Sequence, residues 1–364
     1  MAARMGGWHE GAAGGCRTDT GILRQGCAHR TLRCGRGWVM RTADKEQGAS
    51  LLSVLVIVML MSVAAVAATD ALARSVMVIK SSSARAETFW TARGAAQAAG
   101  TYLTKAMTLN EGALNAESEL FAQPTTLPAG NGVVVVQAHE ASNCFNLNAL
   151  INSASDGEVN DASLESFDDM LVAAGFDDAE SESLAQKLAD WVDADGSTRT
   201  YGAEDGYYVS QAEPYRAANT KLRSISELKA IAGYDAEIVA QIESLVCLRP
   251  AEEQSVLNIN TLTVEQAPLL VALYSSELSL DDARAIIDSR PTGGWLNKDT
   301  FTQQDAIMKI APDVRDEMAI SLVSNYLSAD ISVGTGGLVT DYRALYQRAE
   351  TGAVSLVSLV RREF

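Results

Sequence analysis

The sequence predicts an α+β protein in which a long N-terminal transmembrane helix leads into a small α/β domain interrupted by a large all-α insertion. Three observations predict this class: twenty uncharged residues after Gly48, β-branched or alternating runs at 133–139 and near the C-terminus, and short capped helices between them. We therefore expect the α/β domain to comprise residues 70–144 and 327–364, and the inserted helical domain to comprise residues 145–326.

The apolar run after Gly48 is long enough to cross a membrane. The first charge after it is Asp70, and at ~1.5 Å rise per residue a helix over 49–69 spans a ~30 Å hydrocarbon core. In a secretory signal peptide a small-residue cleavage site follows a shorter apolar region, whereas here the small residue Gly48 precedes the run. A plain single-pass anchor and a leader over 40–48, cleaved after Gly48, both fit this arrangement.

The first 39 residues show no apolar periodicity, and the spacing of Cys16, Cys27 and Cys34 matches no zinc pattern. We interpret residues 1–39 as mis-called upstream sequence and Met40 as the start. Two cysteines then remain, Cys144 and Cys247. They form one disulfide in an oxidising periplasm, or they are two unrelated buried thiols.

The α/β domain is predicted from a helix and a few strands. Helix-compatible sequence continues from Asp70 to about Met107, and its apolar face is formed by Phe89, Ala92, Ala96, Ala99 and Leu103. Prolines at 124 and 128 and the Gly-Asn-Gly at 130–132 then predict a break. The strands are expected at 133–139, 331–333, 338–346 and 353–361.

The insertion is predicted to be a compact bundle of short helices. They are expected at 149–154, 163–174, 180–192, 226–232, 236–245, 264–274, 280–289 and 314–326. The predicted N-caps are Ser163, Ser224 with Glu227, Thr263 with Gln266, and Ser279 with Asp282.

The charge balance excludes several functions. The chain carries a net charge of -17, although residues 1–48 alone hold eight Lys and Arg against four Asp and Glu. Such an acidic protein repels polyphosphates and suits divalent cations. After Gly48 the only histidine is His139, and the sequence contains no G-x-S-x-G motif and no P-loop. We therefore expect no enzymatic activity.

The densest polar segment is Asp190 to Tyr208, DWVDADGSTRTYGAEDGYY. Asp193 and Asp195 alternate after a predicted helix, and Glu204 and Asp205 follow about one loop later, a pattern of hard oxygen ligands that suits calcium. It is not an EF-hand, because Trp191 and Gly202 would stand at its first and last ligand positions. A solvated acidic loop is the alternative interpretation.

Several motifs in the same order resemble the general secretion pathway protein K family. They are LADWVDADGSTRTYGAEDGYY, then EPYRAANTKLRSISELKAIAGYDAEIV, and the Asn-rich segments NCFNLNAL at 143–150 and VLNINTLT at 256–263. The apolar run preceded by Gly48 resembles a type IV prepilin-like signal. Pilin-like proteins usually carry Glu as the fifth mature residue; Ser53 stands there, a departure typical of the K-type minor pseudopilin of type II secretion systems.

The resemblance implies an α/β pseudopilin core with a helical insertion, at the tip of the type II secretion pseudopilus, required for its assembly and for protein export across the outer membrane. It implies cleavage after Gly48 and N-methylation of Ala49 by a prepilin peptidase. The implied partners are the I-type and J-type minor pseudopilins and the pseudopilus shaft. The implied location is the inner membrane, with the C-terminal domain in the periplasm. The implied calcium ligands are among Asp193, Asp195, Glu204 and Asp205.

A second interpretation concerns residues 257–295. This stretch resembles the helix-hairpin-helix modules of DNA-binding competence proteins, which use glycines in the hairpin to present backbone N–H groups to a phosphate. Here the connection at 274–282 has three acids and no glycine, and the lysines needed for counterion release are missing. We therefore expect no nucleic-acid partner. The alternative to the pseudopilin interpretation is a single-pass anchored periplasmic helix-hairpin-helix-like binding protein that acts as a DNA receptor.

Overall fold

The computed structural model describes residues 47–364 except 110–111, 130–131, 153–156, 251–252, 313, 315–318, 336–337 and 363–364. The predictions for residues 1–39, and for all but the end of the leader, lie outside the described residues. The chain divides into two compact units between Leu72 and Ala73, and each is described by itself. The domain boundaries at 144/145 and 326/327 stay predictions.

The elements follow one another in this order. The helices are α1 Gln47–Leu109, α2 Glu119–Ala122, α3 Asp161–Ala173, α4 Asp178–Val192, α5 Asp205–Tyr208, α6 Ala236–Ile242, α7 Ala267–Leu273, α8 Leu280–Asp288 and α9 Lys298–Thr302. The strands are β1 Thr125–Ala129, β2 Gly132–Glu140, β3 Phe145–Asn146, β4 Ile151–Asn152, β5 Glu158–Val159, β6 Val246–Cys247, β7 Leu257–Asn258, β8 Ile320–Ser321, β9 Tyr326–Thr335, β10 Leu338–Arg348 and β11 Val354–Arg361. Single 3₁₀ turns cover Leu147–Leu150, Ile225–Ala230, Val264–Gln266 and Ile307–Lys309.

Helix α1 confirms the predicted continuation of the apolar segment. It runs for 63 residues without a proline, and it is the one helix in the described part of the chain that is long and apolar enough to cross a membrane. In the second unit its buried face is Ala92, Ala96, Leu103 and Met107, at helical spacing. Phe89, predicted on this face, lies at its border and remains 38% exposed.

A five-stranded antiparallel sheet packs against this face of α1. Its strand order is β1-β2-β9-β10-β11. The four predicted strands are confirmed, three of them with longer bounds and β11 one residue shorter. The predicted break was wrong at residues 125–129, because β1 forms there. Pro128 is tolerated because β1 is an edge strand, where a missing N–H removes no central ladder bond.

Charged side chains form a cross-strand cluster on this sheet. The carboxylate of Asp330 accepts hydrogen bonds from Arg343 at 2.7 and 3.0 Å and from Arg362 at 3.1 Å, and it lies 3.4 Å from Nε2 of His139. Burial raises the pKa of Asp330, but the hydrogen bonds from His139 and Arg343 and the charges of both arginines outweigh it, so the pKa lies well below its usual range.

The insertion is mainly helical, as predicted, and α3 packs against α4 and α7 around a large apolar core. Two predicted helices were wrong. Of the predicted helix at 149–154, residues 149–150 end a 3₁₀ turn and residues 151–152 form β4; the predicted helix at 314–326 overlaps β8 and the start of β9. The capping boxes at Ser224 and Thr263 and the cap at Ser279 are confirmed, whereas α3 is capped by Asn160 instead of Ser163.

The insertion contains two modules of the same design. The first module runs from β3 to β6 and the second from β7 to β8, and in each the first and last strands form a short parallel pair. In the first, the buried amide of Asn148 bonds the backbone N–H and C=O of Leu222 at 2.9 and 3.1 Å. In the second, Asn260 bonds the same two groups of Trp295 at 2.7 and 3.0 Å. The first module has a far longer connection, residues 193–221 against 289–294, and this connection carries the acidic segment.

Candidate metal centre

The acidic segment is a loop whose two ends are held together by aromatic packing. Helix α4 ends at Val192, and Glu204 is the N-cap of α5. The buried rings of Trp191, before the loop, and Tyr208, after it, lie 5.1 Å apart. Because both rings belong to the core of the insertion, the residues on either side of the loop are brought to the same place.

Three of the four predicted ligands converge there. Asp193, Asp195 and Glu204 each offer a carboxylate oxygen, and these atoms lie within 4.8 Å of one another. Asp193 and Glu204 are only 4% exposed. Among the described residues, Oδ1 of Asp193 and Oε1 of Glu204 have no hydrogen-bond partner. Buried, unpaired carboxylate oxygens facing one another are unfavourable unless a cation lies between them.

The charges in the cluster also favour a bound cation. Burial, together with the charges of Asp195, Asp190 and Glu204, raises the pKa of Asp193 to about 7. Burial also raises the pKa of Glu204. The oxygens are hard ligands, and their separation is no more than the span of two calcium–oxygen bonds of about 2.4 Å each. The residues therefore fit a calcium ion.

The structure does not bring Asp205 into this cluster. Its carboxylate pairs with Arg216 and accepts a hydrogen bond from the backbone N–H of Ala217 at 3.0 Å. Sequence reasoning gave no role to Asp190, which is fully buried in the last turn of α4 and accepts a hydrogen bond from the backbone N–H of Arg199. Its position one helical turn before Asp193 was the available signal.

The disulfide between Cys144 and Cys247 is confirmed, with a Cα–Cα distance of 5.7 Å, and the alternative of two unrelated thiols was wrong. Cys144 lies shortly after β2, where the chain leaves the sheet, and Cys247 lies in β6 of the insertion. The buried guanidinium of Arg249 stacks on Tyr326 at 4.1 Å and lies 3.4 Å from Sγ of Cys144. These contacts tie the first module to the start of β9.

The helix-hairpin-helix resemblance extends to topology, since α7 and α8 are joined by a tight turn. Ser275 and Ser276 take the positive φ values, 47° and 59°, that glycine would usually supply. Glu277, Asp281 and Asp282 are exposed around this turn. An acidic turn repels phosphate, so the absence of a nucleic-acid partner stays our prediction.

Comparison with known proteins gives a family match, two similar relatives and a similar solved structure, which is the third kind of finding. Residues 143–251 and 257–322 match the family described as type II secretion system (T2SS), protein K. Type II secretion system protein K of Pectobacterium carotovorum subsp. carotovorum is 31% identical over 267 residues, covering 71% of this chain and 80% of the relative. That of Aeromonas hydrophila is 28% identical over 319 residues, covering 85% and 96%.

The third finding is structural. A chain in the crystal structure of the GspK-GspI-GspJ complex from the enterotoxigenic Escherichia coli type 2 secretion system matches with a TM-score of 0.66 and 25% identity, covering 78% of this chain and 99% of the matched chain. An apolar N-terminal helix, a sheet packed on its continuation and a helical insertion thus define an α+β pseudopilin. The chain belongs to the type II secretion system protein K family, the K-type minor pseudopilins.

Proposed function

We propose that this protein caps the tip of the type II secretion pseudopilus together with I-type and J-type minor pseudopilins, and that its role is assembly without catalysis. In this role it is required for building the fibre and for exporting proteins across the outer membrane. The observation that carries the proposal is the match to 99% of a chain whose crystal structure is that of a GspK-GspI-GspJ complex.

Two features of the chain support a terminal position. The insertion at about 145–326 adds bulk that subunits stacked above and below would have to avoid, whereas at the end of a fibre it meets no obstacle. Ser53 stands where pilin-like subunits carry a glutamate. A carboxylate in lipid requires a cationic partner, and a subunit with no neighbour above it has no use for one.

The N-terminus supports insertion in the inner membrane and processing. Gly48 and Ala49 lie in the first turn of α1, directly before the apolar run. Cleavage between them by a prepilin peptidase would leave the apolar helix as the mature N-terminus, N-methylated at Ala49. The helix then serves first as a single-pass anchor and later as a packing element within the fibre. The disulfide fits a C-terminal domain in the oxidising periplasm.

The acidic loop is proposed to hold a calcium ion through Asp193, Asp195 and Glu204, with the carboxylate of Asp205 kept on Arg216. Bound calcium supplies the positive charge that offsets repulsion among these carboxylates. Asp193 and Glu204 contribute buried oxygens, which need no reorganisation to bind, and Asp195 closes the site from the solvent side. The role is structural, since the two ends of the loop are anchored in the core of the insertion by Trp191, Ala203 and Tyr208.

The assembly proposal is tested by co-expressing the full chain with its I-type and J-type partners and a prepilin peptidase. We expect a 1:1:1 complex in native mass spectrometry after purification through a tag on this chain. Omitting the J-type subunit is the matched control, and it should remove only that mass. Purification of this chain alone, with both partners expressed and processed, would contradict the proposal.

The calcium proposal is tested with Asp193→Ala combined with Asp195→Ala. Wild-type melting temperature should rise when calcium replaces chelator, and this rise should be absent in the double variant because two of three ligands are gone. The matched control removes two exposed carboxylates of α8, Asp281→Ala with Asp288→Ala, and should keep the calcium response. A double variant that keeps the wild-type response would refute the site.

A further inference from the structure

We infer that Asp190 and Gly202 position the metal-binding loop: the Asp190 carboxylate, seated against the Cα of Gly202, holds the loop in the conformation in which Asp193, Asp195 and Glu204 converge. The inference rests on the proposed calcium site and deepens it. It names two residues that set the affinity of the site without contacting the ion.

Asp190 is well placed to hold the loop. It lies in the last turn of α4, one turn before Asp193, and its side chain is completely buried. Its two oxygens share a hydrogen bond from the backbone N–H of Arg199, at 3.2 and 3.4 Å, and they lie against the backbone of Gly202. Nε of Arg199 lies 3.9 Å from Oδ1. One side chain of the helix therefore contacts the second half of the loop at two residues, Arg199 and Gly202.

These contacts explain why Asp190 is a positioning residue and not a fourth ligand. Both of its oxygens accept the backbone N–H of Arg199, and it is not among the three carboxylates whose oxygens converge. Ala203, which follows Gly202 and directly precedes Glu204, is 2% exposed. The position of the Glu204 carboxylate thus depends on the contact between Asp190 and the backbone at 199–203.

Gly202 is required by close approach and not by backbone conformation, because its φ lies outside the left-handed region. A Cβ built on Gly202 would stand 1.9 Å from Oδ2 and 2.6 Å from Cγ of Asp190. The obstructing atoms belong to a buried carboxylate that is held by hydrogen bonds, so it has no room to move aside. Any side chain at 202 must displace the loop or the carboxylate.

Two other glycines provide matched controls in the same segment. A Cβ on Gly196, between Asp195 and Ser197, or on Gly206, in α5, meets no atom within 4 Å, and neither residue has a positive φ. Gly202→Ala, Gly196→Ala and Gly206→Ala all leave every charge unchanged. They differ in the one contact on which the inference depends.

The test is calorimetric titration of calcium into the detergent-solubilised full chain. We expect Gly202→Ala to weaken binding by at least about 10-fold, the usual effect of losing a residue that orients metal ligands. Gly196→Ala and Gly206→Ala should bind within about twofold of wild type. Wild-type affinity in a folded Gly202→Ala variant would overturn the positioning role.

A double-mutant cycle keeps the test decisive if Gly202→Ala alone fails to fold. In an Asp190→Ala background the obstructing carboxylate is gone, so adding Gly202→Ala should cause no further loss of affinity or of melting temperature without calcium. Additive losses would show that Gly202 acts independently of Asp190 and would refute the inference. A wild-type chain that binds no calcium would instead refute the proposed site itself, so the two failures are distinguishable.

Discussion

The disulfide gives the largest stability effect that the structure allows us to calculate. Replacing Cys144 and Cys247 together with serine removes a cross-link between residues 103 positions apart. In the chain-entropy treatment, a closed loop of that length lowers the entropy of the unfolded chain enough to stabilise the native state by about 4.7 kcal/mol at 25 °C. Domains are stabilised by only about 5–15 kcal/mol in all, so the double variant should be close to unfolding.

The assay is urea denaturation of the full chain in detergent, followed by the fluorescence of tryptophans buried in the insertion, Trp191 and Trp295. Reductant should move the wild-type midpoint toward that of the double variant and should leave the double variant unchanged. The slope of the transition reports whether unfolding stays cooperative. A loss of less than about 1 kcal/mol in the free energy of unfolding, or a wild-type midpoint insensitive to reductant, would contradict a large stabilisation by this disulfide.

Three further predictions concern the N-terminus, the sheet and the second module. The intact mass of the membrane-extracted chain should correspond to a start at Ala49 only when a prepilin peptidase is co-expressed, and an uncut chain in its presence would reduce α1 to a simple anchor. Asp330→Asn should cost about 2 kcal/mol at pH 7, because Arg343 and Arg362 lose the negative charge and one of the two acceptor oxygens that they bond. Since the folded-state pKa of Asp330 is depressed, the stabilisation by its charge is complete above about pH 4 and is lost as pH falls further. The melting temperatures of wild type and variant should therefore converge in acid. A difference in melting temperature that stays constant with pH would contradict this prediction. Asn260→Ala should cost about 3 kcal/mol in urea denaturation, because the backbone N–H and C=O of Trp295 are left buried and unpaired; a loss below about 1 kcal/mol would show that water replaces the amide.

The parts of the fold that were predicted correctly are those encoded by local patterns. The apolar run and its continuation specify α1, and β-branched runs specify β2 and β11, because periodicity alone separates these elements. Strand β1 was missed because Pro128 indicates a break unless the strand is known to lie at a sheet edge. Edge position is a property of the assembled sheet, which no local window contains.

The errors in the insertion and at the site have the same origin. The segment at 149–154 has helical composition, yet its neighbour Asn148 bonds Leu222, 74 positions away, and that contact decides the local conformation. Spacing made Asp193, Asp195 and Glu204 candidates, and the structure brings them together. Sequence spacing could not show that Asp205 pairs with Arg216, nor that Asp190 holds the loop. Both contacts depend on how the loop after α4 folds against the helix.

Direct imaging of pseudopili tests whether this protein lies at the fibre tip. Fibres assembled with a chain tagged in the exposed turn before α8 would be sheared, gold-labelled and examined by electron microscopy. We expect a single label at one end of each fibre and no fibres when the chain is omitted. Labels distributed along the shaft would contradict it.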